Sequence, residues 1–271
     1  MSSSSSPVIL GLTLVRNEDI FVERAIRNII QFCDRLIVAD HQSTDQTPAL
    51  VAGLAAEFPH KLEVVRIASA RESHSLVTRY AGSPTWIFAV DGDEIYDPAG
   101  LARLRDEILA GRYDEWWVMF GNVLNCVAID HAANTATGYL APPCRSMTKL
   151  YNFRLIERWD GAYTHVLANG RVHFKPGYDA TRRLNLHEQL SWEQSHYRCL
   201  HTCFMRRSSN DPEGATSRPN VSESVRGGTI NWLRKTGQRL SGRAQTSGWK
   251  LEKYARGPLV TVDAAAFFPG A

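Results

Sequence analysis

The sequence predicts an α/β fold: a mostly parallel central sheet with helices on both faces. Three observations predict it. Short apolar runs alternate with segments of helical spacing up to about residue 125. Their order is strand, helix, strand, helix, strand, helix, strand, which is how a parallel sheet is wound with crossover helices. The runs at 8–15, 36–39 and 86–90 each stop at a polar residue, at the strand ends where such sheets collect ligands.

Val8 to Val15 is continuous and apolar, the pattern of a strand buried on both faces. Ile20 to Phe32 has helical spacing, with Phe21, Ala25 and Ile29 on one stripe and Ile26 and Ile30 beside it. Leu36 to Ala39 is a second strand, stopping at Asp40. Thr47 to Phe58 reads as a helix that accepts Pro48 in its first turn, with Asp45 and Thr47 as capping residues. Leu62 to Ile67 is a third strand and Ser73 to Tyr80 a helix. Trp86 to Val90 is a fourth strand, ending at Asp91. Asp97 before Pro98 starts a helix that runs to about Ala110, and Trp116 to Val123 is a fifth strand. Beyond this the pattern loosens. Met147 to Phe153 and Arg171 to Phe174 read as strands and Leu184 to Met205 as partly helical. Ser208 to Gly228, rich in Ser, Pro, Gly and Asn, reads as a long loop of the kind that forms lids.

Composition narrows the class. The chain has 271 residues, 44% hydrophobic and 22% charged, which is ordinary for a globular protein with a sizeable core. A formal charge of +3 is too small to imply a polyanion, so no nucleic acid is expected. Basic residues outnumber acidic ones from Phe204 to Pro258, which leaves a peripheral membrane contact open. Five cysteines without a paired framework point to reduced thiols and a cytoplasmic setting. Met1 to Ser6 has no apolar core of a signal peptide, and no run of about 18 apolar residues is present to span a membrane.

Asp91-Gly92-Asp93-Glu94 carries the clearest chemistry. Two carboxylates one residue apart at a strand end can bind a hard divalent cation, which in turn holds phosphate oxygens. Glycine between them allows close backbone approach. Alone the motif is a common acidic turn; its place after Trp86–Val90 makes it specific. Asp40, opening Asp40-His41-Gln42-Ser43-Thr44-Asp45-Gln46-Thr47, can accept hydrogen bonds from a base or ribose. Val15-Arg16-Asn17-Glu18 can line the same crevice from the first strand. His196, Cys199, His201 and Cys203 are too tightly spaced for a standard zinc site.

Together these motifs resemble family 2 glycosyltransferases, which have the GT-A fold; the likeness covers about residues 8 to 125. Asp40-His41 departs from relatives that carry two successive acids there. The resemblance implies inverting transfer of a sugar from a nucleotide-sugar to an acceptor hydroxyl, with a divalent cation, Mn2+ or Mg2+. The donor is a UDP-sugar, with GDP- and dTDP-sugars as alternatives. The acceptor is a small molecule, a lipid-linked glycan or another glycan. Asp91 and Asp93 would hold the metal and His196 would complete it. Val15, Arg16, Asn17, Glu18, Asp40, Arg71, Asp91, Gly92, Arg206 and Arg207 would bind the donor. Asp160 and Glu188, in the acceptor half, are the candidates for the general base. Trp159 to His165 resembles an acceptor-side segment; relatives follow that histidine with glutamate, and here it is Val166. The expected organisation is a nucleotide-sugar half at 1–125, an acceptor half of the same domain at 126–207, and a lid loop with a C-terminal extension at 208–271. Two other readings compete. A sugar-phosphate nucleotidyltransferase would begin with a Gly-rich loop after its first strand, whereas Val15 to Glu18 has no glycine. A non-enzymatic basic protein binding membrane or nucleic acid leaves three polar strand ends unexplained.

Overall fold

The computed structural model describes residues 6–161, 170–213 and 248–270. His165, most of the expected lid and the basic residues Arg218, Arg226, Arg234, Lys235, Arg239 and Arg243 lie outside the described residues.

The elements are β1 (Val8–Val15), α1 (Val22–Ile29), β2 (Arg35–Asp40), α2 (Thr47–Glu57), β3 (Leu62–Arg66), α3 (Glu72–Thr78), β4 (Thr85–Asp91), β5 (Glu94–Tyr96) and α4 (Pro98–Leu109). They continue with β6 (Val118–Phe120), β7 (Asn122–Asp130), β8 (Thr135–Ala141), β9 (Lys149–Asn152), β10 (Ile156–Asp160) and β11 (Arg171–Phe174). Last come β12 (Arg183–Asn185), α5 (Leu186–Gln189), β13 (Arg198–His201), α6 (Gly248–Tyr254) and β14 (Leu259–Asp263).

A seven-stranded sheet has the order β12-β6-β9-β4-β1-β2-β3. β9 alone runs against its neighbours in it; every other pairing is parallel. The chain winds from β1 outward through β2 to β3, then returns to place β4 on the other side of β1. That reversal is a topological switch point, and in such sheets ligands bind at the carboxyl ends of the strands beside it, here β1 and β4.

The inner strands β1, β2 and β4 are buried on both faces, which explains their uninterrupted apolar runs. Ile9, Val38, Trp86 and Phe88 face one core with Ile26 and Ile29 of α1, Val51 of α2 and Leu104 of α4. Leu12, Ile37 and Ile87 face the other with Val77 of α3 and Trp159 of β10. Asp97 caps α4, its Oδ1 accepting from Gly100 N at 3.0 Å, with Pro98 as the first helical residue, as the sequence signal implies.

A five-stranded sheet, β14-β8-β7-β13-β5, leans on this frame, and β10 and β11 form a separate antiparallel ribbon. Leu184 to Met205, expected to be partly helical, is helical only over the four residues of α5; β13 is a strand, and turns make up most of the rest. The reason is pairing. β13 is held between β5 and β7, and hydrogen bonding on both sides overrides a weak helical spacing. Residue 125 falls inside β7, so a division drawn there crosses a strand.

Candidate active site

Four parallel strands deliver their last residues to one edge. In register, Val15 lies beside Asp40, and Leu14 beside Asp91. The turns beyond are tied together. Asn17, in the left-handed region at φ 55°, donates its backbone N–H to Ser43 Oγ at 2.9 Å and accepts from Thr44 N at 2.7 Å. Glu18 N donates to Thr47 Oγ1 at 2.8 Å, so Thr47 bridges two turns, and Asp45 accepts from Thr47 N at 2.9 Å; neither is the N-cap of α2, which is Gln46. Asp40 is buried, and its Oδ1 accepts from Ser43 N at 3.0 Å, shaping the turn. His41 is buried beside it. Burial, then the nearby Arg16, holds its imidazole below the usual range. Val15 has no exposed surface, and its carbonyl accepts from His41 N at 2.9 Å. Arg16 and Arg71 are exposed at this edge, Arg71 just before α3.

The acidic turn is clamped to β1 by Gly92 N, which donates to Leu14 O at 3.1 Å. A Cβ on Gly92 would stand 2.9 Å from Val15 Cγ1 and 3.0 Å from Glu18 Cγ, closer than side chains pack. Asp91 Oδ2 accepts from Lys149 Nζ at 3.3 Å. Lys149 opens the antiparallel strand β9, which brings its buried ammonium to this edge. Burial by itself lowers that ammonium's pKa, but Asp91 and Glu94 outweigh it and raise it. Glu94 is the third acid, 1% exposed; burial, then Asp91, pushes its carboxyl well up, toward the neutral form. Its Oε2 accepts from Asp91 N and from Tyr96 O–H, both at 3.2 Å.

Asp93 is 2% exposed. Its Oδ2 accepts from the Arg207 guanidinium, which also stands 3.6 Å from Glu18 Oε1. Burial alone lowers the pKa of Arg207; Asp93 and Glu18 more than reverse it. His201 Nε2 lies 3.6 Å from Asp93 Oδ2. The His201 Nδ1 pairs with Asn125 Oδ1 at 2.9 Å, and the Asn125 amide donates to Tyr139 O at 3.4 Å. With the amide nitrogen turned to Tyr139 O, its oxygen faces Nδ1, and Nε2 is the ring nitrogen turned to Asp93. A histidine oriented through its other nitrogen is the usual arrangement of a metal ligand. A carboxylate pair and an imidazole nitrogen therefore fit a divalent cation in kind. In spacing they do not yet do so: no group of three His, Cys, Asp or Glu side chains among the described residues is arranged to hold one. The protein's own cations, Arg207 and Lys149, sit on the two carboxylates instead.

Three expected residues stand elsewhere. His196 pairs with Glu107 of α4, Nε2 to Oε2 2.9 Å. It precedes β13, whereas His201 ends that strand, about 15 Å further along at the usual rise per residue. His201 is thus the histidine brought to Asp93. Arg206 is spent on its own loop, donating to Ser208 O at 3.0 Å and Ser209 O at 2.8 Å. Asp160 is exposed on the β10–β11 ribbon, bonded to Arg158 at 2.8 Å and His173 at 2.9 Å. Glu188 is exposed on α5, directly beyond β12, with Asn185 Nδ2 donating to its Oε2 at 3.1 Å. β12 is parallel to β6 and, through β9, to β4, so α5 lies at the same edge as Asp91.

Neither a protein-family model nor a curated protein matches the chain. Among solved structures it is similar to S. aureus TarS, at 16% identity and a TM-score of 0.38, over 55% of this chain and 29% of that one. It is similar to Mycobacterium tuberculosis glucosyl-3-phosphoglycerate synthase in complex with Mn2+, UDP and glucosyl-3-phosphoglycerate, at 18% identity and a TM-score of 0.33, over 55% of this chain and 58% of that one. It is also similar to Helicobacter pylori mannose-6-phosphate isomerase, at 12% identity and a TM-score of 0.32, over 45% of this chain and 51% of that one. The chain thus spans less than two thirds of each.

Proposed function

We propose that the chain is a glycosyltransferase that moves a sugar from a nucleotide-sugar to an acceptor hydroxyl with inversion. One observation carries the reading: Arg16, Asn17, Asp40, Asp91 and Asp93 meet at the carboxyl edge around the β1–β4 switch point, where such sheets bind ligands. The nucleoside would lie over the β1 and β2 ends beside Asp40, His41 and Arg71, and the diphosphate at the acidic turn. Asp91, Asp93 and His201 are the residues of suitable kind for a divalent cation, which would neutralise charge on the departing diphosphate, although their spacing in this structure does not hold one. Lys149 and Arg207 add fixed positive charge at the same place.

The acceptor oxygen forms a bond to the anomeric carbon as the bond to the diphosphate oxygen breaks. The acceptor proton goes to a carboxylate on the far side of the donor sugar. Of the two candidates Glu188 suits this better than Asp160. It faces solvent at the sheet edge, three strand spacings from β4, or about 14 Å. Desolvation alone would raise the Asp160 carboxyl, but Arg158 and then His173 together outweigh it, hold it below the usual range and make it a weaker base.

A thermal-shift screen of UDP-, GDP- and dTDP-sugars with and without Mn2+ tests the reading. One donor should raise Tm, and Asp93→Ala should lose the Mn2+-dependent part. Absence of any shift across all donors would remove its basis.

A further inference from the structure

Arg145 and Lys253, 108 residues apart, are drawn together by the contacts of their chain neighbours. Cys144 Sγ donates to Tyr254 O at 3.1 Å and accepts from Arg256 N at 3.3 Å, which ties the segment after β8 to the end of α6. Ser146 and Thr148 turn to one side of that segment, where their hydroxyls meet at 3.0 Å. Met147 between them packs against the cluster of Cys203, Phe204 and Tyr254. Lys149, two residues further, opens β9 and reaches Asp91. Lys253 Nζ stands 5.0 Å from the centre of the Tyr254 ring, and that ring stands 5.4 Å from His201, which faces Asp93. The end of α6 therefore lies against the acidic turn, and it brings a third cation to Lys149 and Arg145. Arg145 is exposed and forms no ion pair among the described residues.

We propose that Arg145 and Lys253, backed by Lys149, form an anion subsite beside Asp91 that takes a phosphate group carried by the acceptor. The assignment to the acceptor rests on the nucleotide-sugar reading above and deepens it by naming the acceptor's chemistry. Charge supports the subsite. Burial, then Arg145 and Lys149, holds the Lys253 ammonium below its ordinary range, with Asp91 opposing. A bound anion would relieve that repulsion between cations. A guanidinium presents paired N–H groups to phosphate oxygens, and an ammonium adds a point charge beside it. Position separates the subsite from the donor. In the sheet order β9-β4-β1-β2, Lys149 stands on the side of β4 away from β1. The nucleoside belongs to the ends of β1 and β2, and Arg207 serves the acidic turn from the side of Glu18. Glu188 lies beyond β12, on the same side of β4 as Lys149. An anion on Arg145 and Lys253 is therefore on the acceptor side of Asp91.

Phosphorus NMR titration with inorganic phosphate in EDTA tests the subsite without metal or nucleotide. Wild type is expected to bind phosphate, and Arg145→Gln and Lys253→Gln each to bind it on the order of tenfold more weakly. The double variant should not bind it measurably. Arg79→Gln, which removes an exposed charge at the end of α3, should bind it as wild type does. No binding by wild type, equal binding by wild type and the double variant, or an equal loss in Arg79→Gln overturns the proposal. Repeating the wild-type titration in Mg2+ with saturating UDP, GDP or dTDP identifies the source of the anion. Phosphate affinity left unchanged by a nucleotide that binds assigns the subsite to the acceptor. Competition assigns it to the donor diphosphate and overturns the proposal. If no nucleotide binds, the nucleotide-sugar reading fails and the acceptor assignment falls with it, while the EDTA arm still decides whether the anion subsite exists.

Discussion

Lys149 is a buried cation whose charge is held by Asp91 and Glu94. Removing it leaves the buried Glu94 and the Asp91 side chain, 28% exposed, without their cation, the costly way to break an ion pair. Lys149→Ala is expected to lose about 3–5 kcal/mol in chemical denaturation. A loss below about 1 kcal/mol would mean that solvent already screens the pair. Gly92 answers to shape rather than charge. Gly92→Ala pushes a methyl to within 3.0 Å of Val15 and Glu18, an overpacking of about 1–3 kcal/mol, readable as a lower Tm. The acids and the glycine were legible in the sequence, because a polar tripeptide after an apolar run is conspicuous. Lys149 was not. It opens the run Lys149-Leu150-Tyr151-Asn152, and a lysine at a strand start reads as a surface residue until the antiparallel pairing with β4 is known.

At the scale of elements, the turns after β1 and β2 act as one unit, and Asp45 is its hub. It accepts from Thr47 N, Asp19 N and Ser208 Oγ. Burial alone would raise its carboxyl, but Ser208 and then Thr47 outweigh that and hold it below its ordinary value of 3.8. A depressed carboxyl contributes stability above its unfolded-state pKa and loses it as pH falls through the lower folded-state value. The stability gap between wild type and Asp45→Asn should therefore be steady from about pH 5 to 7 and shrink below about pH 4. A gap that widens in acid would exclude this role. Asp45 and Thr47 read as capping residues, but the N-cap of α2 is Gln46, without a side-chain bond, and the Asp45 bond to Ser208, 163 residues away, was not readable. β13 was the larger surprise. Cys199, Leu200 and His201 are all buried, so the strand shows no alternation of apolar and polar residues, and β5 is only three residues long. Antiparallel pairing of these two short strands is what sets His201, rather than His196, against the acidic turn.

For the molecule as a whole, the parallel core from β1 to β4 was legible because strands buried on both faces are apolar without interruption, and the site followed from their common direction. The part beyond residue 125 was not, since its short strands are interleaved between two sheets and take their register from partners distant in sequence. The common edge also separates the two candidate bases. Glu188→Gln should lower kcat on the order of a hundredfold, with Tm and donor binding unchanged. Asp160→Asn, on the ribbon, should alter kcat by no more than about twofold, since its partners are surface groups. The reverse pattern would move the acceptor to the ribbon. We propose that Asp93 sits at the diphosphate end of a nucleotide-sugar site. Its most direct test is release of nucleoside diphosphate from UDP-, GDP- and dTDP-sugars in the presence of Mn2+, by wild type and by Asp93→Asn. One donor should be turned over by wild type, with a loss of about a hundredfold or more in Asp93→Asn. Equal rates in the two proteins, or no turnover of any donor, would contradict it.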